Sequence, residues 1–275
     1  MIFGFAVRSA KPFFTYPFTK PQKDAIIEKN IKERQSMTCF LTSAPIMNDD
    51  HSWVDINNFV TELRAALKPD NRILFVCSDP NSHDETDLYA IGLMKSLISS
   101  GINVSETFVL DGRNKTCAKE LVDQADLIFL AGGHVLTQNK FFEEIGLKDL
   151  LKGYEGVLMG LSAGSMNSAG TVYAQPELKG EAVDPNYKRF LNGLGLTDIS
   201  IIPHYQAIKD DILDGLRIFE DIAYPDSMGR KFYAIPDGTY IYIKDGAEEL
   251  LGEAYLIEDG KRRQISNIGD MIRFS

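Results

Sequence analysis

The pentapeptide Gly160-Leu161-Ser162-Ala163-Gly164 carries the sharpest chemical signal in the chain. It closes an apolar run and is followed by Ser165-Met166-Asn167, a segment able to begin a helix. A serine on a tight strand-to-helix turn is pushed out of its sheet, and the helix amino terminus behind it favours developing negative charge. A phosphate-binding or purely structural turn can use the same glycines, so a nucleophile also requires a base. The four histidines allow a search by elimination. His51 and His83 sit in polar loops, where a solvated ring is the default. His134 follows Gly132-Gly133 and is expected to line the cleft without being the base. His204 ends the apolar run Ile201-Ile202-Pro203, which carries its imidazole toward the rim that Ser162 occupies. A catalytic imidazole also needs a carboxylate to hold its tautomer. Glu177, Glu181, Asp184 and Asp198 lie between the two, and spacing alone does not choose among them. Backbone amides of Gly133 and Ala163 form a plausible oxyanion pair.

These groups need a scaffold that delivers them to one edge. From Met37 onward, short apolar runs alternate with segments of helical periodicity. Runs 38–43, 72–78, 103–110, 127–133 and 156–162 read as buried strands. Between the first two, Val54, Ile56, Phe59, Val60, Leu63 and Leu67 repeat at helical spacing. A second helix is expected to begin near Asp84 or Thr86, with Leu88, Ile91, Met94, Leu97 and Ile98 on its apolar side. Further helices are expected over 117–124 and 141–153. This alternation predicts an α/β fold, an open and mostly parallel sheet with helices on both faces and a site beyond the carboxyl ends of its strands. Segments 198–204, 231–246 and 253–265 read as strands with Asp-Gly turns, the last two as a hairpin-rich edge of the sheet. Residues 1–36 read as an amino-terminal extension, with a helix over Ala25–Gln35, and 37–275 as a single domain.

Composition narrows the partners. The 275 residues carry 29 Lys+Arg against 39 Asp+Glu, a net charge of −10, which gives no electrostatic reason to expect a nucleic acid or an anionic membrane. No window approaches the roughly 18 apolar residues of a membrane helix, and no secretory signal forms at the start. Cys39, Cys77 and Cys117 show no metal-binding or disulfide spacing, which points to a reducing cytoplasm. Neither a cofactor nor a metal is expected. An edge strand or the aromatic extension is a candidate homodimer surface.

Three segments then agree in order: Ala131-Gly132-Gly133-His134 at a strand end, Gly160-Leu161-Ser162-Ala163-Gly164-Ser165-Met166, and Ile201-Ile202-Pro203-His204-Tyr205. Together with Pro236-Asp237-Gly238 they resemble the peptidase E and cyanophycinase family of serine peptidases, over roughly Met37 to Ile243. The resemblance implies a flavodoxin-like, class I glutamine amidotransferase-like fold. It implies Ser162 as nucleophile, His204 as general base and then acid, and Gly133 with Ala163 as oxyanion donors. It implies Glu177 as the triad acid, 15 residues past the serine, with Glu181 at 19 as the alternative. The substrate it implies is a small peptide of the Asp-X type, anchored bidentately by an arginine; Arg189, Arg217 and Arg230 are candidates. His134, Gln138 and Tyr205 are expected to line the substrate cleft. Two rival readings remain. An α/β-hydrolase esterase is disfavoured because His204 follows the serine by only 42 residues. The other is a catalytically silent, amidotransferase-like binding protein, favoured if no carboxylate reaches His204.

Overall fold

The computed structural model describes residues 37–274. The extension expected over 1–36, with its helix at Ala25–Gln35, lies outside the described residues. Five runs form parallel strands, β1 (Thr38–Thr42), β2 (Asn71–Val76), β3 (Val104–Leu110), β4 (Leu127–Leu130) and β5 (Val157–Leu161); all but β3, which lies at the sheet edge and is partly exposed, are largely buried. Shorter strands follow: β6 (Thr171–Tyr173), β7 (Phe190–Asn192), β8 (Ser200–Ile202), β9 (Ile212–Leu213) and β10 (Leu216–Arg217). The last part of the chain supplies β11 (Lys231–Ala234), β12 (Tyr240–Lys244), β13 (Ala247–Leu251), β14 (Ala254–Glu258), β15 (Lys261–Ser266) and β16 (Met271–Arg273).

The central sheet has eight strands in the order β16-β13-β12-β1-β5-β4-β2-β3. Helices cross over between its parallel strands: α1 (Phe59–Ala66), α2 (His83–Ser99), α3 (Ala118–Gln124) and α4 (Val135–Glu144) with α5 (Leu147–Leu150). The architecture is therefore the open, mostly parallel α/β sheet that the alternation predicts. Register decides where its functional edge falls. Thr42 pairs with Leu161, and Leu130 pairs with Gly160, so Ser43, Ala131 and Ser162 all leave the sheet together at its carboxyl edge.

The carboxy-terminal strands depart from the expectation of one hairpin-rich edge. Only β12, β13 and β16 extend the central sheet; β14 and β15 join β11 and β8 in a separate four-stranded sheet. The run 231–246 is thus two strands in two sheets, and Ile235–Thr239 is the bridge between them. The second sheet has its own apolar cluster, in which the rings of Tyr173 and Phe232 stack 4.1 Å apart.

Three helix expectations also change. The helix expected from Val54 begins only at Phe59, because Asn57 and Asn58 adopt left-handed backbone angles. Asp55 instead accepts hydrogen bonds from the Val60 and Thr61 amides. The expected helix over 141–153 is two pieces, broken where Gly146 turns left-handed. On α2 the apolar stripe is rotated. Leu88, Ile91 and Ile98 are 68%, 46% and 53% exposed, while Thr86, Ala90, Leu93, Ser96 and Leu97 face the protein. Leu97 of the expected stripe is buried, but the rest of the buried face is Leu93 with the smaller Thr86, Ala90 and Ser96, which a count of large apolar residues passes over.

Candidate active site

Ser162 stands at the end of β5 with φ 48° and ψ −109°, and the four-residue helix α6 (Ala163–Met166) starts directly behind it. Few non-glycine residues hold such angles, which cost on the order of 1–3 kcal/mol and persist only where surroundings enforce them. Here the enforcement is visible. The Ser162 amide donates to the carbonyls of Thr42 and Ser43 at 3.0 Å, and Ser165 Oγ donates to the Thr42 carbonyl at 2.8 Å. The flanking glycines are needed for space. A Cβ on Gly164 would fall 2.3 Å from the Leu130 carbonyl oxygen, and one on Gly160 would fall 2.8 Å from the Ser165 amide nitrogen. The turn is therefore wedged between β1 and β4, as a nucleophile elbow requires.

His204 reaches the same cleft by a separate route. It follows β8, adopts φ 55° and precedes the short helix α7 (Tyr205–Ile208). Strand β8 runs parallel to β11 with Ile202 opposite Ala234, so the residues just past each strand emerge side by side. Those residues are His204 and Asp237. His204 Nδ1 lies 2.8 Å from Asp237 Oδ1. Ser43 joins the pair: its hydroxyl accepts from the His204 amide at 2.8 Å and donates to Asp237 Oδ1 at 2.7 Å. Gln206 takes the other side, donating to Asp237 Oδ2 and accepting from the Asp237 amide. Burial alone would raise the Asp237 carboxyl, but hydrogen bonds from His204, Ser43 and Gln206 outweigh it and hold the group below its usual range.

The carboxylate beside His204 is accordingly not Glu177. Glu177 lines the cleft with Ser162 and His204, yet no hydrogen bond joins it to the imidazole among the described residues. Surrounding protein, then the neighbouring Glu181, raise its pKa to about 7, although the residue keeps much of its surface in solvent, which tempers the shift. Glu181 is occupied elsewhere. One oxygen meets His134 Nε2 at 2.9 Å, and the other accepts the Glu177 and Leu178 amides. Asp184 accepts the Asn186 amide in its own turn.

Three residues expected in the substrate cleft have other duties. His134 commits Nδ1 to Thr137 and Nε2 to Glu181. Gln138 is fully buried; it donates to the Ala131 carbonyl at 2.6 Å and accepts from Asn167, bracing the turn after β4 against the end of α6. Tyr205 is buried between the rings of Phe219 and Tyr255, with its hydroxyl against Arg262. The candidate arginines are likewise engaged. Arg189 meets Asp226, Arg217 chelates Asp221, and Arg230 lies over the Phe190 ring.

Sequence reasoning did not place Ser43, Gln206 or Asp237 in the site. Two signals for them were present: Ser43 ends the first apolar strand, and Asp237 sits in the Pro-Asp-Gly segment. The cleft itself measures about 280 Å³. A larger one of about 590 Å³, bordered by α4, α5 and β7, contains neither Ser162 nor His204. Among the described residues no group of three His, Cys, Asp or Glu side chains is arranged to hold a metal, and no helix is long and apolar enough to cross a membrane.

Comparison with known proteins gives the family and the fold. The model of peptidase family S51 matches residues 39–251. Among solved structures, the chain is similar to a peptidase from an acI-B1 Actinobacterium, at 17% identity and a TM-score of 0.62, covering 87% of this chain and 97% of that one. It is also similar to a protein named for peptidase E from Listeria monocytogenes EGD-e, at 20% identity and a TM-score of 0.50, covering 84% and 99%. At such identities these two speak for the fold. No curated protein matches the chain. The matched span holds the Ser162 elbow, His204 and Asp237 together, and on that match the chain belongs to peptidase family S51.

Proposed function

We propose that this chain is a serine peptidase that cleaves short peptides through Ser162, His204 and Asp237. The observation carrying this reading is the 2.8 Å contact between His204 Nδ1 and Asp237 Oδ1, in a cleft whose wall also holds the strained Ser162. Nδ1–H donated to the carboxylate leaves Nε2 as the basic nitrogen. It would take the hydroxyl proton as Ser162 Oγ bonds to the scissile carbonyl carbon. The amides of Gly133 and Ala163 would stabilise the oxyanion. The C–N bond then breaks, His204 returns the proton to the leaving amine, and water attacks the acyl-serine by the same base.

The Glu177 triad implied by the family resemblance is replaced in this reading by Asp237, because Asp237 is the carboxylate within hydrogen-bond reach of the ring. That contact favours a catalytic reading over a silent binding protein, and the family match favours a peptidase over an esterase. A fluorophosphonate probe should label Ser162, and Ser162→Ala should lose both labelling and short-peptide hydrolysis while keeping its melting temperature. An unlabelled wild type, or an active Ser162→Ala protein, refutes the proposal.

A further inference from the structure

The charge inside the cleft bears on which peptides it can take. Resting on the serine-peptidase reading, we propose that the cleft selects short peptides whose amino-terminal residue brings positive charge and no carboxylate. Such a residue has an apolar or basic side chain and a free α-ammonium; an Asp-X peptide is disfavoured. The site is defined by Ser162 and His204, which fix where the scissile carbonyl must lie. Around them the lining carries two carboxylates, Glu177 and Asp211, and neither lysine nor arginine. Among the described residues neither carboxylate forms an ion pair. The remaining walls are largely apolar, with Met166, Ile208, Leu213 and Ile218 prominent.

An aspartyl side chain entering this space would exchange water for a surface with no cation to meet it. A carboxylate stripped of water without a partner is strongly disfavoured. An α-ammonium or a lysyl side chain meets the opposite situation, with Asp211 at hand and with Glu177 drawn into its ionised form by the incoming cation. The cations that could have served an acidic substrate are used in the scaffold: Arg189 on Asp226, Arg217 on Asp221 and Arg230 on Phe190. Cleft length is limited as well. The β9–β10 turn is tied to the 177–184 loop by Asp214, which accepts the Gly180 and Ala182 amides, and Ile212 and Leu213 of β9 line the cleft.

Steady-state kinetics on Ala-Leu, Leu-Leu, Lys-Leu and Asp-Leu test the proposal. The first three should exceed Asp-Leu in kcat/KM by tenfold or more. Glu177→Gln should raise KM for Ala-Leu and Lys-Leu about tenfold, with a smaller change in kcat, and Asp211→Asn should act in the same direction. Binding to the Ser162→Ala protein, followed by calorimetry, separates this idea from the catalytic one. Preference of that inert protein for Ala-Leu and Lys-Leu supports the cleft assignment even if turnover fails. Equal or tighter binding of Asp-Leu, or a Glu177→Gln effect confined to kcat, overturns it.

Discussion

His134 and His204 occupy similar places and commit their ring nitrogens differently. Each follows a strand closely, each borders a short or medium helix, and each hydrogen-bonds a carboxylate, at 2.9 Å for Glu181 and 2.8 Å for Asp237. The difference is in which nitrogens are committed. His134 spends both, on Thr137 and Glu181, so it ties the turn after β4 to the 177–184 loop. His204 commits Nδ1 to Asp237, which leaves Nε2 for chemistry. Proximity of an imidazole to an acid is therefore not the mark of a catalytic base. A base needs one nitrogen held and the other open.

Replacing each histidine should separate the two roles by orders of magnitude. His204→Ala should reduce kcat on a cleaved dipeptide by about 10⁴- to 10⁶-fold, the range of losses when a triad member is removed. His134→Ala should lower kcat/KM by less than about tenfold and cost on the order of 1 kcal/mol in stability, through its lost hydrogen bonds. Comparable kinetic losses in the two variants would erase the distinction. The acids sharpen it next. Asp237→Asn should cut kcat by up to ~10⁴-fold by unsettling the tautomer, whereas Glu181→Gln should mainly lower the melting temperature. If Glu177→Gln gives the 10⁴-fold kcat loss instead, the ring turns to a different carboxylate during catalysis.

The smallest effect concerns pH and stability. The Glu177 pKa is raised from its usual 4.5 to about 7 in the folded chain, so folding favours the protonated form. The stabilisation is complete below pH 4.5 and is lost as pH rises through 7. Glu181, Tyr187, His204 and Asp211 are the titratable groups near it or sharing its cleft, and Glu181 reinforces the shift. Thermal melts of Glu177→Gln should decline less than wild type between pH 4.5 and 7.5, by a small margin because solvent screens an exposed carboxyl. Identical declines would mean that this carboxyl does not contribute.

What was legible in the sequence was local. The elbow is a strand, a strained serine and a helix start within a few residues, and its glycines reflect contacts that any residue with a Cβ would break. Four of the five parallel strands were visible because burial makes each a nearly continuous apolar run, while the edge strand β3 keeps exposed polar residues and was placed by the alternation. His204 stood out in the sequence because so few imidazoles compete and because it follows an apolar strand. The α2 stripe misled in part for the same local reason: large apolar residues dominate periodicity, while Thr86, Ala90 and Ser96 share the buried face with Leu93 and Leu97.

Only the tertiary structure shows which carboxylate meets His204. Glu177 is close to Ser162 in sequence and shares its cleft, but Asp237 follows His204 by 33 residues and is delivered by pairing between distant strands. The choice depends on Ile202 lying opposite Ala234, and on residues 235–239 crossing from the second sheet to β12 beside β1. Side-chain periodicity reports whether a residue faces a core. It carries no information on which strand will be its neighbour, and that pairing is what brings a carboxylate to the imidazole.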